Sequence, residues 1–234
     1  MAAPKALALP SGDGAQRQGG NVSVHGGPQP AAGWFGKLPA LGDFASRRLP
    51  AEWIEAWDGW LQRELVRSRA ALGDDAWLAL YLVAPVRRFW LAPGLLAPRA
   101  WLGVLMPSVD SVGRHFPFTL ATALPPERDE LVDALANDNW LDSADAVARQ
   151  VLDPAFDVDS LEQALLAMPS AHGERRAEDH AGSRLALQLA GSNAGPCCAW
   201  WCEGAAAVDD FVVSHALPTD DAFDALLRSG LEGD

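Results

Sequence analysis

The fold this sequence predicts is α/β: a single compact domain whose mixed, largely antiparallel central sheet is covered by helices. Three observations carry that prediction. Apolar residues make up 49% of the 234-residue chain, enough for a sizeable core. Between residues 77 and 124 the chain has four apolar segments joined by short connections, the pattern of neighbouring antiparallel strands. Helix-period segments lie before and after that block, so helices are available to cover the sheet.

Residues 1–32 are rich in Gly, Ala, Pro, Ser and Gln, lack periodicity and have little to bury. They are expected to form a disordered tail, and 33–234 the folded domain. Residues 33–38 predict a first strand, with Gly36 and Gly42 flanking Pro39 in a following turn. After Pro50, the residues Trp53, Trp57, Trp60, Leu61, Glu64 and Leu65 share one helical face. Glu52 and Glu55 suit the positive end of that helix and Arg67 and Arg69 its negative end, with Gly73 as the stop. Residues 77–83, 88–92, 100–106 and 116–124 are the four predicted strands. Past Pro125-Pro126 the pattern turns helical over 127–135 and 143–152. Asp159 with Glu162 three residues on has the form of a capping box opening another helix. Residues 170–182 are small and charged and predict a flexible loop. Three short apolar runs follow, at 184–190, 196–202 and 211–214, and a closing helix at 220–228. A division into two subdomains near Pro125 is the rival arrangement.

Charge and cysteine content narrow the function. The net charge is -13, which argues against nucleic acid or an anionic membrane surface as the main partner. The charge is uneven: residues 1–116 carry 12 Lys and Arg against 9 Asp and Glu, and residues 117–234 carry 6 against 22. The acidic second half could steer a basic partner or simply keep the protein soluble. No apolar run reaches transmembrane length and the start lacks a signal-peptide core, so a cytoplasmic location is expected. Cys197, Cys198 and Cys202 are the only cysteines. On a regular strand Cys198 and Cys202 would lie about 13 Å apart with Cys197 on the other face, which no single zinc can gather. Buried cysteines on a central strand are the expectation, with no metal and no cofactor.

The sequence singles out a polar loop between two of the predicted strands. Residues 107–120 read P-S-V-D-S-V-G-R-H-F-P-F-T-L, and the loop holds Ser108, Asp110, Ser111 and Arg114. Ser108, Asp110 and His115 contain the side-chain types of a serine hydrolase. There is no G-x-S-x-G elbow, however, and a triad needs groups brought from separate segments. Phosphate-binding glycine motifs are absent too. Lys37, Asp43, Ser108, Asp110 and Arg114 are therefore candidates for a structural or interaction loop rather than a catalytic site. Exposure discriminates: a buried ion pair is architecture, whereas an exposed Arg114 is a surface feature.

Several long strings carry a family likeness. G-W-F-G-K-L-P-A-L-G-D-F at 33–44, L-P-A-E-W-I-E-A-W-D-G-W-L at 49–61, F-W-L-A-P-G at 89–94 and the 100–120 string occur in order. Together they resemble the TagF family, accessory proteins of bacterial type VI secretion systems. Weaker echoes follow in A-W-W-C and A-L-P-T-D-D-A-F. The resemblance implies a compact α/β fold and a non-enzymatic, post-translational repressor of secretion acting in the cytoplasm. It also implies a forkhead-associated scaffold protein of the apparatus as partner, with other apparatus components possible. Some relatives carry a fused phosphatase domain, for which this chain has no room. Ser111 departs from the arginine expected there, which would weaken an electrostatic contact if the loop makes one. The competing readings are a structural or assembly subunit of the apparatus and a serine hydrolase using the 108–115 loop.

Overall fold

Strands whose side chains are buried on both faces form the middle layer of the molecule. The structure is a computed structural model and describes residues 31–171, 195–205 and 207–228. The strands are β1 (Gly33–Gly36), β2 (Ala45–Arg47), β3 (Arg87–Leu91), β4 (Trp101–Met106), β5 (Phe118–Ala123), β6 (Cys198–Trp201) and β7 (Val212–Ser214). They form one sheet in the order β2-β1-β5-β4-β3-β6-β7. Every pairing is antiparallel, the limiting case of the largely antiparallel sheet expected. Strands β6 and β7, from beyond Pro125, extend the same sheet through β3, so the chain does not divide there.

Among the described residues six helices flank the sheet: α1 (Ala51–Leu72), α2 (Asp74–Val83), α3 (Leu131–Leu135), α4 (Asp138–Gln150), α5 (Val158–Ala167) and α6 (Asp220–Leu227). Phe35, Phe89, Leu91, Trp101, Leu105, Cys198 and Trp200 pack on the α1, α2 and α6 side. Trp34, Trp90, Leu102, Val104, Phe118, Leu120 and Trp201 pack on the α3, α4 and α5 side. Burial on both faces removes the apolar–polar alternation a half-exposed strand would show. Among the described residues no helix is long and apolar enough to cross a membrane.

The helix predicted after Pro50 is α1, and its buried stripe is Trp53, Trp57, Trp60, Leu61, Glu64, Leu65 and Ser68. Trp57 is fully buried and lies 4.8–5.9 Å, ring to ring, from Trp53, Trp60, Phe89 and Trp200. Beneath it, Gly103 opposes Phe89 across the β3–β4 ladder. A Cβ at Gly103 would run into the Phe89 ring and the Leu120 carbonyl, so only glycine admits the ring there. Gly36 has φ +133°, and a Cβ on it would collide with the Pro117 carbonyl where the chain approaches the loop before β5.

Two predicted elements are corrected. Residues 77–83 are helical, not a strand. Gly73, at φ 81°, ends α1 and accepts the first hydrogen bond of α2 from the Trp77 N–H, and Asp74 and Asp75 occupy the first turn. Trp77 and Tyr81 then stack at i,i+4, 4.9 Å apart. The cap of α5 is Asp157, whose carboxylate accepts the Ser160 N–H at 2.8 Å, not an Asp159–Glu162 box. Glu162 instead accepts the Trp34 indole N–H at 2.8 Å and binds Arg48. The three-residue edge strand β2 was not predicted. The loop at 170–182, apart from its first two residues, the run at 184–190 and nearly all of the predicted tail lie outside the described residues; Ala32, assigned to that tail, is packed into the core.

Cys197 and Cys198 are buried, as expected, and burial pushes both thiols up. Cys202 follows β6 and accepts a hydrogen bond from Arg87 Nη1 at 3.0 Å. Arg87 is 3% exposed, and its guanidinium also donates to the carbonyls of Ala225, Leu226 and Arg228. It thereby satisfies the orphan carbonyls at the C-terminus of α6 and opposes their partial negative charge. Among the described residues no His, Cys, Asp and Glu are grouped to hold a metal ion.

Candidate functional site

The loop between β4 and β5 is a tight hairpin tip. An isolated bridge pairs Val109 with His115 beyond the regular ladder, and the Gly113 N–H closes the turn onto the Asp110 carbonyl at 3.0 Å. Gly113 has φ 83°, which glycine takes without strain. The turn packs on the segment after β1: the Ser111 N–H donates to the Leu41 carbonyl and Arg114 Nη2 to the Gly42 carbonyl.

Asp110 is the hub. Its side chain has no exposure, yet it is fully satisfied. Oδ1 accepts the Val112 N–H at 3.1 Å and the Arg114 N–H at 2.8 Å. Oδ2 sits 3.0 Å from the Lys37 ammonium and 2.7 Å from Arg114 Nε. Burial alone would raise the carboxyl. The Arg114 N–H, the Lys37 ammonium, the Arg114 guanidinium and the Val112 N–H outweigh it and hold Asp110 well below the usual carboxylate range. Lys37 is buried as well, with its ammonium 5.0 Å over the Phe44 ring.

Ser108 is equally committed. Its hydroxyl donates to the Lys37 carbonyl at 2.7 Å and the residue is 3% exposed. Its backbone N–H and C=O both meet the Tyr81 hydroxyl at 3.0 Å, which ties the loop to α2. Burial pushes the Tyr81 phenol far up, so it remains a neutral donor and acceptor. His115 packs edge-on against the Trp77 and Tyr81 rings.

The predicted residues therefore meet, but in two roles. Lys37, Ser108 and Asp110 are buried framework. Arg114 is bound to that framework while its side chain stays 55% exposed, and Asp43, 81% exposed, stands 4.0 Å from it at the rim. Tyr81 is the member that sequence reasoning missed, because its segment had been assigned to a strand. Phe44 and Val112, exposed by 43% and 69%, were missed because an isolated apolar loop residue gives no sequence signal. Ser111 is exposed, so the departure from the expected arginine costs the framework nothing.

Because the folded carboxyl of Asp110 lies below its ordinary value of 3.8, its contribution to stability is complete above that pH and is lost as pH falls below it. Asp110→Asn is expected to lower the melting temperature at neutral pH and to flatten the acid limb of the stability profile. Thermal melts between about pH 7 and about pH 3 check both effects.

Comparisons with known proteins bear on this arrangement. A family model described as the TagF N-terminal domain, type VI secretion system-associated, matches residues 33–168, which include every residue of the loop framework. Among solved structures, the chain is similar to the crystal structure of PA0076 from Pseudomonas aeruginosa PAO1. The two are 32% identical with a TM-score of 0.68, over 87% of this chain and 97% of that one. No curated protein matches the chain.

Proposed function

Since the chain belongs to the TagF family of type VI secretion system-associated proteins, we propose that it is a non-enzymatic, post-translational repressor of type VI secretion. It would act in the cytoplasm by binding a forkhead-associated scaffold protein of the apparatus. The observation that carries this reading is the commitment of the signature residues to packing. The Ser108 hydroxyl is spent on the Lys37 carbonyl, Asp110 on two cations and two backbone N–H groups, and His115 on aromatic rings. None of them is arranged as a nucleophile beside an oriented base, the geometry a serine hydrolase would need. A rigid framework behind an exposed rim suits recognition instead.

Repression by binding requires that the scaffold's active and inactive states differ in affinity for this protein. The test is a pull-down of the purified chain against the scaffold from the same secretion locus, at low and high salt. Binding at low salt is expected, weakened at high salt by screening of the acidic surface. Salt-resistant binding would keep the regulator and place its interface on apolar side chains. Absence of binding at either salt would sink the scaffold as partner.

A further inference from the structure

Helix α2 is anomalous for a surface helix. Residues 76–83 read A-W-L-A-L-Y-L-V, with no polar group but the Trp77 indole N–H and the Tyr81 hydroxyl. An apolar sequence on every side normally marks a buried helix. Here only Trp77 and Tyr81 are buried, at 4% and 1% exposure. The outward arc presents Ala76, Ala79, Leu82 and Val83, with Leu82 63% and Val83 65% exposed. By contrast, α1 carries Gln62 and Arg63 outward, and α4 carries Asp142 and Arg149.

The face is held firmly. The Tyr81 hydroxyl is locked to Ser108 of the signature loop, Trp77 and Tyr81 stack on each other and abut His115, and the Arg69 guanidinium lies 5.5 Å over Trp77. Its rim is acidic. Asp75 stands exposed in the first turn beside Asp74, which pairs with Arg69 at 2.7 Å, and α6, which packs beside α2, begins with the exposed Asp220, 3.7 Å from Arg67, and the exposed Asp221, so the carboxylates outnumber the cations that meet them. A pre-ordered apolar patch with a carboxylate rim, on a chain of net charge -13, matches an apolar surface bordered by Lys and Arg.

We infer that the outward face of α2 is the docking surface for the protein partner, and that the partner meets it with an apolar patch flanked by basic residues. This rests on the repressor reading above and adds the surface that would carry it. The signature loop then serves the interaction indirectly, by fixing Tyr81 and hence the attitude of the helix.

The test uses the full chain with the forkhead-associated scaffold as probe. Leu82→Glu is expected to raise Kd by about tenfold or more, and Leu82→Ser by less. Leu166→Glu, at a 68% exposed position on α5 across the sheet, is expected to bind as wild type. Asp75→Lys is expected to weaken binding at low salt and to lose that effect at high salt. All three positions are exposed, and unchanged melting temperatures would show that the variants fold. Equal binding by wild type and Leu82→Glu would overturn the assignment of this face and leave the repressor reading standing. No binding by wild type would sink the scaffold as partner and this inference with it. A wild-type dimer made monomeric by Leu82→Glu, with scaffold binding intact, would make a second copy the occupant and also overturn the inference.

Discussion

Trp57→Ala is expected to cost about 3–5 kcal/mol of stability, the range for truncating a large aromatic in a close-packed core. The indole has no exposure, touches four other aromatic rings and joins α1 to β3, β5 and β6. Its N–H donates to the Thr119 hydroxyl at 2.9 Å, so truncation removes that bond as well as the contact area. Surrounding rings cannot close the gap without leaving their own stacking geometry. A loss of this size is a large part of ordinary domain stability and would lower the melting temperature by about 6–20 °C. Denaturant titration checks it; a loss under about 1 kcal/mol would mean the cluster repacks freely.

Arg88→Met is expected to be comparably damaging, at about 3–5 kcal/mol, through charge rather than volume. Arg88 projects from β3 to the opposite side of the sheet, 4% exposed at its side chain. Its Nη2 lies 2.9 Å from Asp145 Oδ2 and 2.7 Å from Asp142 Oδ1 on α4. Without the guanidinium, Asp145 becomes a buried carboxylate that has lost its ion-pair partner. Burial already raises its carboxyl against the pull of Arg88. With the folded value raised, protonation favours the native state, so the defect should shrink as pH falls through the carboxylate range. Asp145→Asn in the Arg88→Met background should recover part of the loss. A double-mutant cycle by thermal melts measures that coupling, and additive losses would contradict it.

How much of this was legible depended on whether a segment's period survives its surroundings. Helix α1 could be read because its tryptophan stripe recurs at helical spacing against charged neighbours. Strands β3, β4 and β5 could be read because they are apolar throughout, short and closely connected. That same continuous apolarity hid α2: residues 76–83 have no polar phase to betray a period, and the clue lay outside the run, in Gly73 and the two aspartates after it. Strand β2 was invisible because three residues, two of them exposed, carry no pattern. Of the site, Lys37, Ser108, Asp110 and Arg114 were found as motif residues. Their division into buried framework and exposed rim was not, because it depends on the turn after β1 folding over the hairpin tip. Tyr81 reaches the site from a helix, and no local signal announces that contact.

The strand order has a consequence for the path of folding. Strands β3, β4 and β5 form a meander whose two pairings need only short loops closed, whereas β6 reaches β3 across roughly a hundred residues, and closure entropy grows with that separation. Assembly through the cheapest closures first would start at the meander, and the β4–β5 connection is the signature hairpin itself. Conservative substitutions in β4 should then slow refolding, while those in β6 should mainly speed unfolding, a contrast that stopped-flow kinetics reads directly. The residues that most identify this chain would thus lie where its search for the native state begins.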